Sequence, residues 1–169
     1  MSAKVRFIGA LVSLIVFLDQ ASKWIVDRTM PLHHSIPVVE DLFNLTYIRN
    51  TGAAFGILAG SAALFRRPFL ILFSLVAIGF IVTLLRRLPE KEKGLMTALS
   101  FILGGALGNL IDRLLYGEVI DFLDFYWRQF HWPAFNFADS FITVGVFLTL
   151  YSLVRSGGQD PFAAGTRDS

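Results

Sequence analysis

The sequence predicts an all-α membrane protein: a bundle of four transmembrane helices with a small β cradle on its outer side. Three observations lead there. The 169 residues are 54% hydrophobic and only 17% charged, with a mean hydropathy of +0.60, too apolar for an ordinary soluble domain. The apolar residues gather into separate runs near the ~20 residues that a helix needs to cross a hydrocarbon core of about 30 Å. The ionisable residues inside those runs collect toward one end of them.

The runs are residues 7–26, 68–85, 95–115 and 137–154. Lys4 and Arg6 precede the first, as in a cleavable leader, but the following "DQASKW" has no small-x-small cleavage site, so the run reads as a retained signal anchor. The second run is uncharged and opens on Pro68, which suits a first helical position because no N–H is needed there. The third is polar only toward its end, and the fourth follows "FNFADS". Between them lie outer loops at about 27–67 and 116–136. In the first loop "FNLTYIRN" alternates as a strand does, and "NTG" after it reads as a turn. The tail, residues 156–169, reads as disordered and cytoplasmic.

Four spans put both termini on one side. Lys4, Arg6, Arg86, Arg87, Lys91, Lys93, Arg155 and Arg167 share that side in short segments. Arg28, Arg49, Arg66, Arg67 and Arg128 are spread over the longer loops opposite, the Arg66–Arg67 pair running against the trend. The positive-inside rule then predicts cytoplasmic termini. Trp24, Tyr126, Trp127 and Trp132 fall at the outer interface, where amphipathic aromatics anchor.

Composition also excludes chemistries. With no cysteine there is no disulfide, thiol nucleophile or cysteine-bound metal. The net charge of +2 comes from scattered basic residues and suggests no nucleic-acid partner. His33, His34 and His131 are loop residues without partners at a recognisable spacing, and no H-E-x-x-H occurs, so neither a Ser/His/Asp hydrolase nor a zinc protease is indicated. Ser22 and Lys23 are adjacent, and neighbours on a helix diverge.

What remains is carboxylate. Asp19, Ser22 and Lys23 share a helix face at i, i+3, i+4, as an orienting ion pair or as support for a site. Gly105, Gly108, Asn109 and Asp112 make a small-and-polar stripe, and Gly104-x-x-x-Gly108 permits close helix approach. Asp139 sits in a first helical turn behind Asn136, a candidate N-cap. With Arg113 and Asp121, these groups map to the outer half of the bundle, and such intramembrane clustering marks functional sites. Two nearby carboxylates share a proton and can activate a water against a peptide carbonyl. Asp121 and Asp124, three apart, share a face on a helix and face opposite ways on a strand; if the stretch runs extended, only one of them can reach the site. Asp124 reads as an exposed interfacial residue beside Tyr126 and Trp127.

An ion-coupled membrane carrier using the same Asp/Lys/Arg cluster is the alternative from another class, and a structural membrane subunit a third. Against a carrier, the polar groups stop halfway across and no inverted repeat is visible.

The chain resembles the lipoprotein signal peptidase (signal peptidase II) family of bacterial intramembrane aspartic proteases. The matching segments are "DQASK" at 19–23, "NTGAAF" at 50–55, "GGALGNLIDR" at 104–113, "VIDF" at 119–122 and "FNFADS" at 135–140. The resemblance implies that Asp121 and Asp139 are the catalytic pair. It implies that Asn50, Gly52, Asn109, Asp112, Arg113 and Asn136 shape the site and hold substrate, with Asp19 and Lys23 in support. It further implies an enzyme of the bacterial inner membrane; nothing in the sequence calls for more than a monomer, or for a metal or cofactor. The expected substrate is a prolipoprotein, cut just before a diacylglyceryl-modified cysteine.

Overall fold

The structure is a computed structural model that describes residues 2–52, 63–156 and 162. Its elements run α1 (Ala3–Thr29), β1 (Ser35–Val39), β2 (Phe43–Asn50), α2 (Ala63–Arg87), α3 (Lys93–Leu115), β3 (Val119–Trp127), β4 (Phe130–His131) and α4 (Phe137–Arg155). Among the described residues, four helices are long and apolar enough to cross a membrane.

Helix α3 is the centre of the bundle. Its Leu95, Met96, Leu99 and Leu103 join Leu85 and Leu88 of the preceding helix and turn in one apolar core, while α1 and α4 flank its other faces. The outer helices turn large apolar side chains outward: Phe17, Phe80 and Phe147 are each more than 60% exposed. In water that surface would drive aggregation; in hydrocarbon it costs nothing. Without a hydrophobic force between the helices, close contact matters more. A Cβ added at Gly104 would stand 2.8 Å from the Ile15 side chain, an overlap that costs about 1–3 kcal/mol to relieve. One added at Gly108 would strike the Asp19 carboxylate. Small residues at these positions therefore let α1 lie directly on α3.

Local chemistry sets the helix ends. Ser2 caps α1, accepting from Val5 N–H at 3.3 Å. Lys4 reaches the last carbonyls of the neighbouring hairpin, Arg86 at 3.2 Å and Leu88 more closely. Helix α3 stops at Tyr116 and Gly117, whose φ of +79° is the left-handed conformation that glycine takes without penalty. Pro68 departs from the sequence reading: α2 begins at Ala63, so the proline lies inside it. One backbone bond near the helix start is forgone there, a cost confined to one turn.

The strands form one antiparallel sheet in the order β1-β2-β3-β4. "FNLTYIRN" is a strand, as its alternation predicted, and "VIDFLDFYW" is the strand beside it. Ile120, Phe122 and Tyr47 of the sheet pack on Val26 and Met30 at the end of α1, which fixes the sheet to one end of the bundle. The ladder carries a bulge: β2 has one residue more than β3 between the pairs Leu45–Leu123 and Ile48–Asp121. A bulge re-aims the side chains on either side of it, and here it lies between Asp121 and Asp124. Apart from Ser156 and Phe162, the expected disordered tail lies outside the described residues, as does most of "GAAF" after Gly52.

Candidate active site

The site is built in two tiers where the sheet meets the bundle. The lower tier is a buried ionic brace. Lys23 is 1% exposed and spends its three N–H bonds on Asp19 Oδ2 at 2.8 Å, Asp112 Oδ2 at 3.0 Å and Asn109 Oδ1 at 3.0 Å. Gln20 bridges the same two aspartates, at 3.2 Å from Asp19 and 2.9 Å from Asp112. Both aspartates of the brace also hold backbone. Asp19 Oδ1 accepts from Ala138 N–H of α4 at 2.9 Å, and Asp112 Oδ2 accepts from Ile120 N–H of β3 at 3.1 Å. Each of those amides lies one residue before an aspartate of the upper tier.

The upper tier is Asp121 on β3 and Asp139 on α4, joined through three asparagines. Asn136 caps α4: its Oδ1 accepts from Asp139 N–H at 2.9 Å, while its own N–H donates to Asp139 Oδ2 at 3.4 Å, a reciprocal capping box. The Asn136 Nδ2 donates to Asp121 Oδ1 at 2.7 Å and Ile120 O at 3.2 Å. Asn109 Nδ2 donates to Asp139 Oδ1 at 2.8 Å. Asn50 Nδ2 donates to Asp121 Oδ2 at 2.9 Å, its Oδ1 being held by Gly52 N–H. The orientation of the Asn109 amide follows from its neighbours. Its oxygen takes donors from Lys23 and, at 3.2 Å, from Asn136, so its nitrogen must face Asp139.

Burial pushes the Asp121 carboxyl up, and the nearby negative charge of Asp139 pushes it further, to about 7. The amides of Asn50 and Asn136 and the charge of Lys23 oppose that rise. An acid raised in this way beside a second carboxylate favours a pair that shares one proton.

Both aspartates open into one cavity of about 730 Å³. Asn50, Asn109 and Arg113 line its polar end, and Leu70, Phe73, Ala77, Ile102, Ala106 and Ile142 carry it down between α2, α3 and α4. Arg113 Nη1 lies 3.4 Å from Asn109 O, and its buried Nε has no hydrogen-bond partner among the described residues.

The structure thus brings Asp19, Lys23, Asn50, Gly52, Asn109, Asp112, Arg113, Asp121, Asn136 and Asp139 together. Three sequence readings change. Ser22 leaves the Asp19–Lys23 face, its hydroxyl turning back to Asp19 O at 2.8 Å. Asp124 is not exposed but 6% accessible, bonded to Asn44 Nδ2 at 3.1 Å and Thr46 Oγ1 at 3.4 Å. His131 is not without a partner: its Nδ1 stands 2.9 Å from Asp124 Oδ1, although half the side chain is solvated. The last two errors share a cause, the β3–β4 hairpin, which folds His131 back over Asp124 and stacks it on Tyr126. Sequence reasoning also missed Gln20, though its place in "DQASK" was the available signal. It missed the clamp of Arg49 on Asp27 at 2.5 Å, between the rings of Tyr47 and Tyr116.

Comparison with known proteins identifies the family. A family profile described as signal peptidase (SPase) II matches residues 11–155. The lipoprotein signal peptidase of Geobacter sulfurreducens is 52% identical over 89% of this chain and 92% of its own. That of Syntrophotalea carbinolica is 47% identical over 92% and 95%. A bacterial membrane enzyme solved in meso at 2.3 Å superposes with a TM-score of 0.81 at 30% identity, covering 98% of this chain and 94% of the other. A second, at 1.9 Å, gives 0.76 at 32% identity over 89% and 94%. The chain is a multi-pass membrane protease that belongs to the signal peptidase II, or lipoprotein signal peptidase, family.

Proposed function

We propose that this peptidase, whose family processes the signal peptides of prolipoproteins, cleaves the peptide bond just before a diacylglyceryl-modified cysteine, with Asp121 and Asp139 as the reacting pair. The observation that carries the reading is the shared cavity: polar at the two acids and apolar along three helices, it matches a peptide bond attached to a lipid. The acyl chains lie between α2 and α3, and the scissile carbonyl stands between the acids.

The chemistry then balances with one shared proton. The ionised member of the pair takes a proton from a water, whose oxygen attacks the carbonyl carbon, while the protonated member gives its proton to the carbonyl oxygen. The gem-diol collapses as the amide nitrogen is protonated and the C–N bond breaks. The proton belongs to the pair throughout. Asn50, Asn109 and Asn136 hold the carboxyl groups at fixed positions, and Arg113 lines the polar end of the cavity, where substrate oxygens lie. The positive-inside pattern puts the termini in the cytoplasm and the site at the outer leaflet of the inner membrane, where a lipidated substrate resides.

The test is cleavage of a diacylglyceryl-modified prolipoprotein by purified enzyme in detergent. Asp121→Asn and Asp139→Asn are each expected to abolish turnover while the protein stays folded. Full activity in either variant refutes the assignment.

A further inference from the structure

A second cavity, of about 440 Å³, lies on the sheet side of the site, walled by Ser35, Thr46, Ile48, Asp124 and His131. All its lining residues belong to strands and their connections. It is not separate from the catalytic cavity. Residues 132–134 line both. Along β2, Thr46 and Ile48 line the second cavity, and the next alternate residue, Asn50, lines the first and donates to Asp121. Past the bulge, Ile48 and Asn50 alternate and share a face, and Thr46 lines the same cavity as Ile48 across it, so the three residues form a track from the reacting carboxyl into the second cavity.

The two cavities differ in chemistry. The first descends among apolar helix residues, whereas the second is rimmed by hydroxyls and imidazole. Its hydrogen bonds also have a direction. Thr46 gives its proton to Asp124 Oδ2 at 3.4 Å, which makes Ser35 the donor in the 2.9 Å contact between their hydroxyls. The Ser35 oxygen then keeps free lone pairs. His131 commits Nδ1 to Asp124, leaving Nε2 as an acceptor in the neutral ring. The cavity therefore offers acceptors, which suit the N–H groups of an extended peptide.

We propose that this cavity is the subsite for the polar polypeptide that follows the lipidated cysteine, the part of the substrate leaving the membrane on the carboxyl side of the cut. It rests on the reading of Asp121 and Asp139 as the cleavage centre. The chain threads from the apolar cavity, past the acids, along the Thr46–Ile48–Asn50 track and out over Ser35 and His131. The subsite contributes binding of the downstream segment, not chemistry.

Two lipidated substrates test it, one ending at the modified cysteine and one continuing for six polar residues. The long substrate is expected to show a KM about three- to tenfold lower in the wild type, the worth of one or two net hydrogen bonds. A Ser35→Ala/His131→Ala variant is expected to bring the two KM values together. An unchanged ratio in the variant, or no wild-type preference, overturns the proposal. A photo-crosslinking residue at exposed position His33, on the cavity rim, gives a readout independent of variant stability. Adducts on the downstream residues support the subsite, and adducts only on the signal peptide overturn it. Cleavage of the short substrate distinguishes failure of the subsite from failure of the catalytic pair: if the wild type cuts neither substrate, the functional reading itself falls.

Discussion

Replacing Lys23 with methionine tests the buried brace most directly. The ammonium is enclosed, and its three bonds go to Asp19, Asp112 and Asn109. Methionine fills much of the volume but leaves two carboxylates, 0% and 1% exposed, without a countercharge. Gln20 and two backbone amides still donate to them, so they are not stripped of partners. Removing one member of a buried ion pair costs about 3–5 kcal/mol. At about 2–4 °C per kcal/mol for a chain of this size, the apparent Tm in detergent should fall by about 6–20 °C. Lys23→Met/Asp112→Asn, with one uncompensated carboxylate rather than two, should recover part of that loss. Turnover should drop but persist, because Asn136 still holds the Asn109 oxygen and so keeps the amide turned toward Asp139. A Tm within about 3 °C of wild type would be under about 1 kcal/mol and would refute the ionic account. A folded Lys23→Met protein as inactive as Asp139→Asn would move Lys23 into the chemistry.

The pH dependence of kcat/KM should have an alkaline limb with an apparent pKa near 7: Asp121 is raised to about 7, and above it the pair loses the proton that the carbonyl oxygen needs. A flat profile from pH 6 to 9 would contradict this. Asp124→Asn should lower the Tm by the equivalent of about 1–3 kcal/mol, because one of the two oxygens that accept from Asn44, Thr46 and His131 becomes a donor, while retaining most of kcat; differential scanning fluorimetry beside the cleavage assay checks both. Arg49→Met should reduce kcat several-fold by loosening the end of β2 that aims Asn50 at Asp121. In an Asn50→Ala background it should add little, giving a double-mutant coupling of about 0.5–3 kcal/mol; strictly additive effects would rule out action through Asn50.

The sequence shows much of this because the membrane imposes coarse rules. A long uncharged run such as 68–85 has few alternatives to a spanning helix, and an intramembrane Asp19 or Asp112 needs a partner. The proposed reacting pair rests instead on the resemblance of "VIDF" and "FNFADS" to the family's segments, since position alone also allows Asp139 to serve as a helix-start carboxylate behind Asn136. Pairings set by tertiary register were not legible. Whether Asp124 meets water or His131 depends on a two-residue strand, Phe130–His131, and on a left-handed Arg128 with φ of +57°. No periodicity announces either. Ser22 misled because helical spacing places a side chain on a face without saying whether its hydroxyl bonds forward or back to its own backbone.

Asn136 carries a consequence beyond catalysis. Its side chain touches Asp121 with one end and the Asp139 backbone with the other, so one amide of fixed length acts as the gauge block between the two acids. Small shifts of α4 or β3 elsewhere move the acids together with their spacer, which leaves the surrounding bundle free to drift in sequence. The tolerance ends at the gauge itself. Asn136→Gln adds a single methylene, and no adjustment of the bundle restores the spacing that the extra carbon removes.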